Sequence, residues 1–445
     1  MDRRVAAAFD LERAIIPLTG DTRDHDALFG MIGDAPIVLF GEATHGTHEF
    51  YRLRAELTKR LIVERGFNAV CIEGDWPDAY RVNRYVRAAD GDTEASDALR
   101  GFTRFPTWMW RNADVLDFVG WLRAYNDACG DRPKVGFYGL DLYSMYASID
   151  AVLDYLERVD PQTAQLARAH YACLTPYAAH PEEYGLATFR GLSPSCRDDV
   201  LSALLEIQAK AALYARLDGA VAADQYFYAE QNARIVSRAE HYYRAMIDDS
   251  MSTWNLRDAH MVDTLIRLMD HLAKHQGTTK AVVWAHNSHV GNAEATSMSA
   301  RRETNVGALL RRRFGDACFS VGFTTFTGTV TAASDWHAPE ERKRVLPART
   351  DSYEYLFHTL GVPQFLLPLR PHRPHLETLP TRARERAIGV VYRPESELLS
   401  HYFIADLIEQ FDAGYHLDVT RAVEPLERSE VWKRGEPPET YPTGE

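Results

Sequence analysis

The sequence predicts an α/β fold: a mostly parallel central sheet flanked by helices, with a large helical subdomain inserted into it. Three observations lead there. Apolar runs of strand length recur at 37–40, 69–72, 135–140, 281–285, 319–323 and 388–392, each closed by polar or glycine residues. The first two are joined by a segment of helical spacing. From about 144 to 276 strand-like runs give way to helical periodicity.

Between the first two runs, Leu53, Leu57 and Leu61 recur every four residues, basic residues gather near the end, and Gly66 follows as a helix stop. Strand, helix and strand of that length read as a βαβ unit with parallel strands. Pro77, just past the second strand, suits the first turn of another helix through Asn83 and Val86. Helical spacing then governs Ile149, Val152 and Leu156, later Val200 and Leu204, and finally Leu265, Leu268 and Leu272. Tyr226, Tyr228, Tyr242 and Tyr243 either line a pocket in this region or pack between its helices. A proline-rich stretch with Pro363, Pro368, Pro371, Pro374 and Pro380 reads as an ordered connector, leading to a strand at 388–392 and a helix near 402–411. The expected organisation is an α/β core over 1–143, a helical insertion over 144–279, a second part of the core over 280–345, and an extension completing it over 346–445.

Composition narrows the function classes. The chain has 445 residues, 46% hydrophobic and 25% charged, which are globular proportions. Fifty Lys and Arg against 63 Asp and Glu leave a net charge of −13, a surface that repels nucleic acid and anionic membranes. Cys71, Cys129, Cys173, Cys196 and Cys318 are scattered and form no CxxC pair, so neither a disulfide framework nor a thiolate zinc site is expected. The stretch 1–10 holds only five consecutive apolar residues, too few for a signal-peptide core, and no run of about 18 apolar residues occurs. A cytoplasmic location is expected. The sequence does not specify an oligomeric state.

In parallel α/β sheets, function gathers beyond the carboxyl ends of the strands. Four predicted strands deliver ionisable groups to that edge: Glu42 and His45 after the first, Glu73 and Asp75 after the second, Asp141 after the third, His286 and His289 after the fourth. Chance would scatter them over both ends. His45 can take a proton from water near neutral pH if a carboxylate, Glu42 or Glu73, fixes its tautomer. The alternative is that Glu42 and His45 cap the next helix. Gly41 and Gly46 favour the first reading by permitting close approach of a ligand. His286 and His289 are either a donor pair for developing negative charge or satisfied surface histidines. Trp108 and Trp110, in Phe105-Pro106-Thr107-Trp108-Met109-Trp110, wall an apolar substrate or pin their loop to the core. Arg54 and the pair Arg257-Asp258 carry weaker signals.

Absent motifs matter too. There is no G-x-S-x-G elbow, no P-loop, no G-x-G-x-x-G and no H-E-x-x-H. His45, His48, Glu42, Glu73, His286 and His289 together still offer ligands to a divalent ion.

Six stretches, GEATHGTHEFYRLRAELTKRLIVERGFNAVCIEGDW (41–76), FPTWMW (105–110), GFYGLDLYS (136–144), RDAHM (257–261), AVVWAHNSHVG (281–291) and IGVVYRPESELLSHYF (388–403), resemble in this order the erythromycin esterase family. The resemblance implies hydrolysis of a macrolide lactone, an antibiotic-resistance activity, without a serine nucleophile, covalent intermediate, metal or cofactor. It implies that His45 is the base that activates water, that Glu42 and Glu73 flank it, that Arg54 is an active-site arginine, and that His286 and His289 form the distal pair. Trp76, Trp108, Trp110, Asp141 and Arg257 are assigned to substrate binding. The expected partner is a small ester or lactone. The competing readings are a divalent-metal hydrolase built on the same His/Glu cluster, and a non-enzymatic module binding haem or another small molecule.

Overall fold

The computed structural model describes residues 3–434 except 90, 131, 218, 248–251 and 377, so the start of the N-terminal stretch and the end of the C-terminal extension lie outside the described residues. Eleven strands are described: β1 (Ile16–Pro17), β2 (Ile37–Phe40), β3 (Ala69–Asp75), β4 (Gly136–Asp141), β5 (Ala281–Trp284), β6 (Cys318–Ala333), β7 (Glu340–Val345), β8 (Gln364–Pro368), β9 (Ala383–Arg386), β10 (Tyr402–Ala405) and β11 (Ala413–Thr420). Nine form one sheet in the order β1-β8-β11-β6-β2-β5-β3-β4, with β7 hairpinned onto the far half of β6; β9 and β10 pair separately. The contiguous stretch from β11 to β4 is parallel, and within this sheet antiparallel pairing involves only β1, β8 and β7 with their neighbours, while β9 and β10 pair antiparallel apart from it.

β2, β3, β4 and β5 are buried along their whole length, which is why they read as near-continuous apolar runs. The helix His48–Arg65 turns Phe50, Leu53, Leu57 and Leu61 inward and stops at Gly66, whose φ of 69° only glycine adopts freely. The helix Trp76–Val86 begins with Pro77 in its first turn. Between β4 and β5 the chain is helical, from Met145–Val159 through the long helices Gly219–Ala245 and Thr253–Gln276, with no strand among the described residues. Val152, Leu156, Ala203, Ile207 and Val236 lie in a core of its own.

β5 lies between β2 and β3, with Trp284 in register with Phe40 on one side and Ile72 on the other, so the strands carrying Glu42 and Glu73 are not neighbours. Three expectations are corrected. The run 388–392 is not a strand. Interrupted by Gly389 and stopped before Pro394, it runs irregularly beside the loop after β2, where the Ile388 amide donates to the Ala43 carbonyl at 2.8 Å. The helix expected near 402–411 is instead β10 followed by a single helical turn, Leu407–Gln410, because Tyr402-Phe403-Ile404 favours extended backbone. Finally, Cys173 and Cys196 are joined as a disulfide inside the helical region, with Cα atoms 6.0 Å apart, where no disulfide was expected. Among the described residues, no helix is long and apolar enough to cross a membrane.

Candidate active site

With β5 seated between β2 and β3, His286 emerges between Glu42 and Glu73, and the expected cluster forms at the carboxyl edge of the sheet. The imidazoles of His45 and His286 face one another with ring centroids 4.8 Å apart. His45 Nδ1 lies 2.9 Å from Glu42 Oε1, so the ring donates from Nδ1, which in the neutral tautomer makes Nε2 the acceptor. Neither residue caps the next helix: Thr47 is the cap, and it makes no side-chain bond there.

Glu42 is fully buried, and so is the group that holds it. Arg54 Nη2 donates to Glu42 Oε2 at 2.8 Å, under the rings of Tyr51 and Trp284. The guanidinium thus sits behind Glu42 and balances its charge, so Arg54 bears on the site through Glu42. Tyr51 fixes the same loop by donating its hydroxyl to the His45 carbonyl at 2.9 Å. Gly41 and Gly46 also act differently from expectation. A Cβ at Gly41 would collide with the Asn287 side chain, and one at Gly46 with the Thr331 carbonyl, so the close approach they permit is of protein rather than ligand.

Glu73 is saturated. Its Oε2 accepts from the His286 amide at 2.9 Å, and its Oε1 accepts from Arg257 at 2.7 Å with His289 Nε2 at 3.2 Å. Burial alone would raise its pKa, but His289, Arg257 and His45 outweigh burial and hold it well below the ordinary carboxylate value. Glu42, not Glu73, therefore orients His45. Arg257 also grips Asp141 through Nε at 3.0 Å and Nη2 at 2.6 Å. Burial opposes that ion pair, yet Arg257 keeps the Asp141 pKa lowered. These two residues, expected to bind substrate, are paired with each other.

The two histidines of the distal pair differ. His286 Nδ1 accepts from the Ser288 amide at 3.2 Å and the Ser288 hydroxyl at 2.8 Å, which places the ring proton on Nε2. That Nε2 is buried without a well-formed hydrogen bond, although the Ala43 carbonyl slightly favours the charged ring. Burial, then the neighbouring His45, drives the His286 pKa well below its usual value, so the ring is a neutral donor. His289 is stacked flat on Trp254, with centroids 4.4 Å apart, and bonds through Nδ1 to Asp258 at 2.9 Å. Burial disfavours its charge and Arg257 Nη1 stands 3.0 Å from its Nε2, but Asp258 and Glu73 prevail and push its pKa up to about 9.

The remaining candidates lie further out. His48 donates to Asp114 at 2.9 Å, on the helix Ala113–Asp127. Asp75 accepts from Arg104 at 2.8 Å. Trp76 stacks on Tyr138 and Tyr228, Trp108 stands edge-on to Phe105, and Trp110 edge-on to Tyr51. All three indoles are buried against protein, and Trp110 bears on the site through Tyr51. Among the described residues, no three His, Cys, Asp or Glu side chains are grouped to hold a metal ion. Sequence reasoning gave Asp258 too little weight and missed Trp254, Ser288 and the Asn287–Glu385 contact of 3.0 Å; only the adjacency of Asp258 to Arg257 signalled any of them.

Known proteins match this chain over most of its length. The erythromycin esterase type II of Escherichia coli is 22% identical over 322 residues, 69% of this chain and 73% of that protein. A solved Bacillus cereus protein superposes with a TM-score of 0.77 at 20% identity, covering 96% of this chain and 100% of that one. A solved succinoglycan biosynthesis protein gives 0.74 at 21% identity, with coverage of 95% and 98%. A mutant of the erythromycin esterase EreC, in its open conformation, gives 0.64 at 18% identity, with coverage of 92% and 96%. At such identities these structures carry the fold alone. The family model for erythromycin esterase matches residues 62–420, beginning after Glu42, His45 and Arg54 and taking in Glu73, Arg257, His286 and His289. On that match the chain belongs to the erythromycin esterase family.

Proposed function

We propose that the protein hydrolyses a carboxylic ester, a macrolide lactone or related cyclic ester, with water activated by His45. Family membership supports ester hydrolysis at the level of reaction class. One observation carries the finer reading: the Nδ1 of His45 is committed to Glu42 at 2.9 Å while its ring faces His286. Nε2 takes a proton as water attacks the ester carbonyl, and Glu42 stabilises the imidazolium that forms. The oxyanion accepts from the neutral His286 Nε2–H. When the C–O bond breaks, the alkoxide recovers the proton from His45, leaving acid, alcohol and the starting tautomer. Arg54 acts through Glu42, and Glu73 acts by fixing the His286 amide and Arg257.

The metal-dependent alternative draws less support, because the carboxylates are engaged by Arg54, Arg257 and the histidines at hydrogen-bond distance. The haem alternative suits this site poorly as well, since the carboxylates Glu73, Asp141 and Asp258 outnumber the cations Arg257 and His289 that they hold and would repel propionates. The substrate is tested by incubating the protein with a panel of macrolides and simpler lactones and weighing the products. A product heavier by one water is expected, and its formation should survive chelation. An unchanged panel would overturn the lactone assignment, and loss of activity restored by a stoichiometric ion would overturn the metal-free mechanism.

A further inference from the structure

A cavity of about 600 Å³ opens between the helix Trp76–Val86, the segment after it and the helices of the insertion. That volume lies in the range of small-molecule sites. Its lining departs from the character of the chain. Five cations, Arg81, Arg84, Arg87, Lys134 and Arg158, face two acids among the described lining residues, Asp92 and Asp224, in a protein of net charge −13.

Both acids are already engaged. Asp92 accepts from Arg81 through both oxygens at 2.7 and 2.8 Å. Asp224 is shared between Arg87 at 3.0 Å and His271 at 2.6 Å. The hydrogen bonds of Lys134 and Arg158 go instead to backbone carbonyls, those of Arg87 at 2.8 Å and Asp154 at 3.1 Å. Neither of those bonds neutralises a charge. A helix C-terminus attracts cations by itself, which accounts for Arg84 and Arg87 at the end of Trp76–Val86. The same attraction accounts for Arg158, in the last turn of Met145–Val159, but not for Lys134, which precedes β4. Three separate segments bring positive charge to one concavity.

Three tyrosines share the wall with these charges. Tyr80 and Tyr228 are stacked with centroids 3.8 Å apart, and Tyr155 completes that side. A ring or other flat apolar body finds contact there, and an oxyanion finds the cations.

We propose that this cavity binds a small phosphate-bearing molecule, its oxyanion on Lys134 and Arg158 and its body against Tyr80, Tyr155 and Tyr228. The site is separate from the ester-hydrolysing cluster, so the proposal stands or falls independently of the proposed reaction. The test is calorimetry on the full chain with pyrophosphate, adenosine monophosphate and adenosine as probes. Pyrophosphate or the monophosphate binds once per chain, less tightly as salt rises, and adenosine does not. Tighter binding of the monophosphate points to a nucleotide-like ligand, and tighter binding of pyrophosphate to a free phosphate anion. Arg158→Glu and Lys134→Glu each weaken binding by about tenfold or more, while Arg158→Lys and Lys134→Arg retain it. Arg158 is exposed, and melting without probe verifies that each variant folds. Absence of saturable binding up to roughly 10 mM would overturn the proposal. Binding indifferent to both charge reversals, or adenosine bound as well as its monophosphate, would also overturn it.

Discussion

Arg54 meets Glu42 at 2.8 Å from the side away from His45, and the two form an ion pair sealed from solvent. The base of the proposed reaction therefore rests on a buried charge pair, whose removal differs from that of a surface bridge. Arg54→Met leaves Glu42 buried without its cation and is expected to destabilise the fold by about 3–5 kcal/mol. Arg54→Lys keeps the charge but not the reach of Nη2 to Glu42 Oε2 and should fall between the two. Denaturant melts of the three proteins check this. Equal stability of the wild type and Arg54→Met would show that Glu42 is balanced by something else.

Glu42→Gln keeps the shape of the side chain but removes the carboxylate that, in the proposed mechanism, selects the His45 tautomer and stabilises its imidazolium. Turnover of any ester the protein cleaves is expected to fall by roughly 10²-fold or more, with KM less affected. Steady-state kinetics decide it, and an unchanged kcat would remove Glu42 from the mechanism.

Much of this site was legible because buried parallel strands write themselves as apolar runs, and the first polar residues after each run mark the carboxyl edge. Glu42, His45, Glu73, Asp141, His286 and His289 all follow that rule. Strand order was not legible: nothing in Ala281-Val282-Val283-Trp284 says that it inserts between β2 and β3 rather than at an edge, although this seats His286 beside His45. Arg54 and Arg257 were ambiguous for a different reason. An arginine on a helix is usually solvated, and only the packing of Tyr51 and Trp284 over Arg54, or of Asp141 and Glu73 around Arg257, reveals a structural cation. β11 escaped notice because Ala413-Gly414-Tyr415-His416 mixes small and polar residues in a strand paired on both sides.

His289 gives a pH signature. Its folded pKa of about 9 stands above the ordinary histidine value of ~6.5. Its contribution to stability is thus complete below about pH 6.5 and is lost as pH rises through 9. In Asp258→Asn, which can still accept from the Val306 amide, the His289 titration should move down by about one unit or more. Proton NMR of the imidazole reads this directly. An unmoved midpoint would assign the shift to Glu73 alone.

Glu385 runs in the opposite sense from most carboxyls. Burial, reinforced by nearby Glu354, raises its pKa to about 8. Stability should then decline between roughly pH 4.5 and 8 as the unfolded chain ionises more readily than the folded one. Glu385→Gln keeps an acceptor for Asn287 and should be more stable than the wild type at pH 8, with less difference at pH 5. Thermal melts at the two pH values check it, and parallel shifts would contradict it.

The most direct test of the central claim compares the wild type with His45→Gln on an ester that the wild type cleaves, following product mass over time. The proposed mechanism predicts a product heavier by one water and a rate about 10²–10⁴-fold lower in the variant, with its fold intact by melting. A folded His45→Gln that retains most of the wild-type turnover would contradict it.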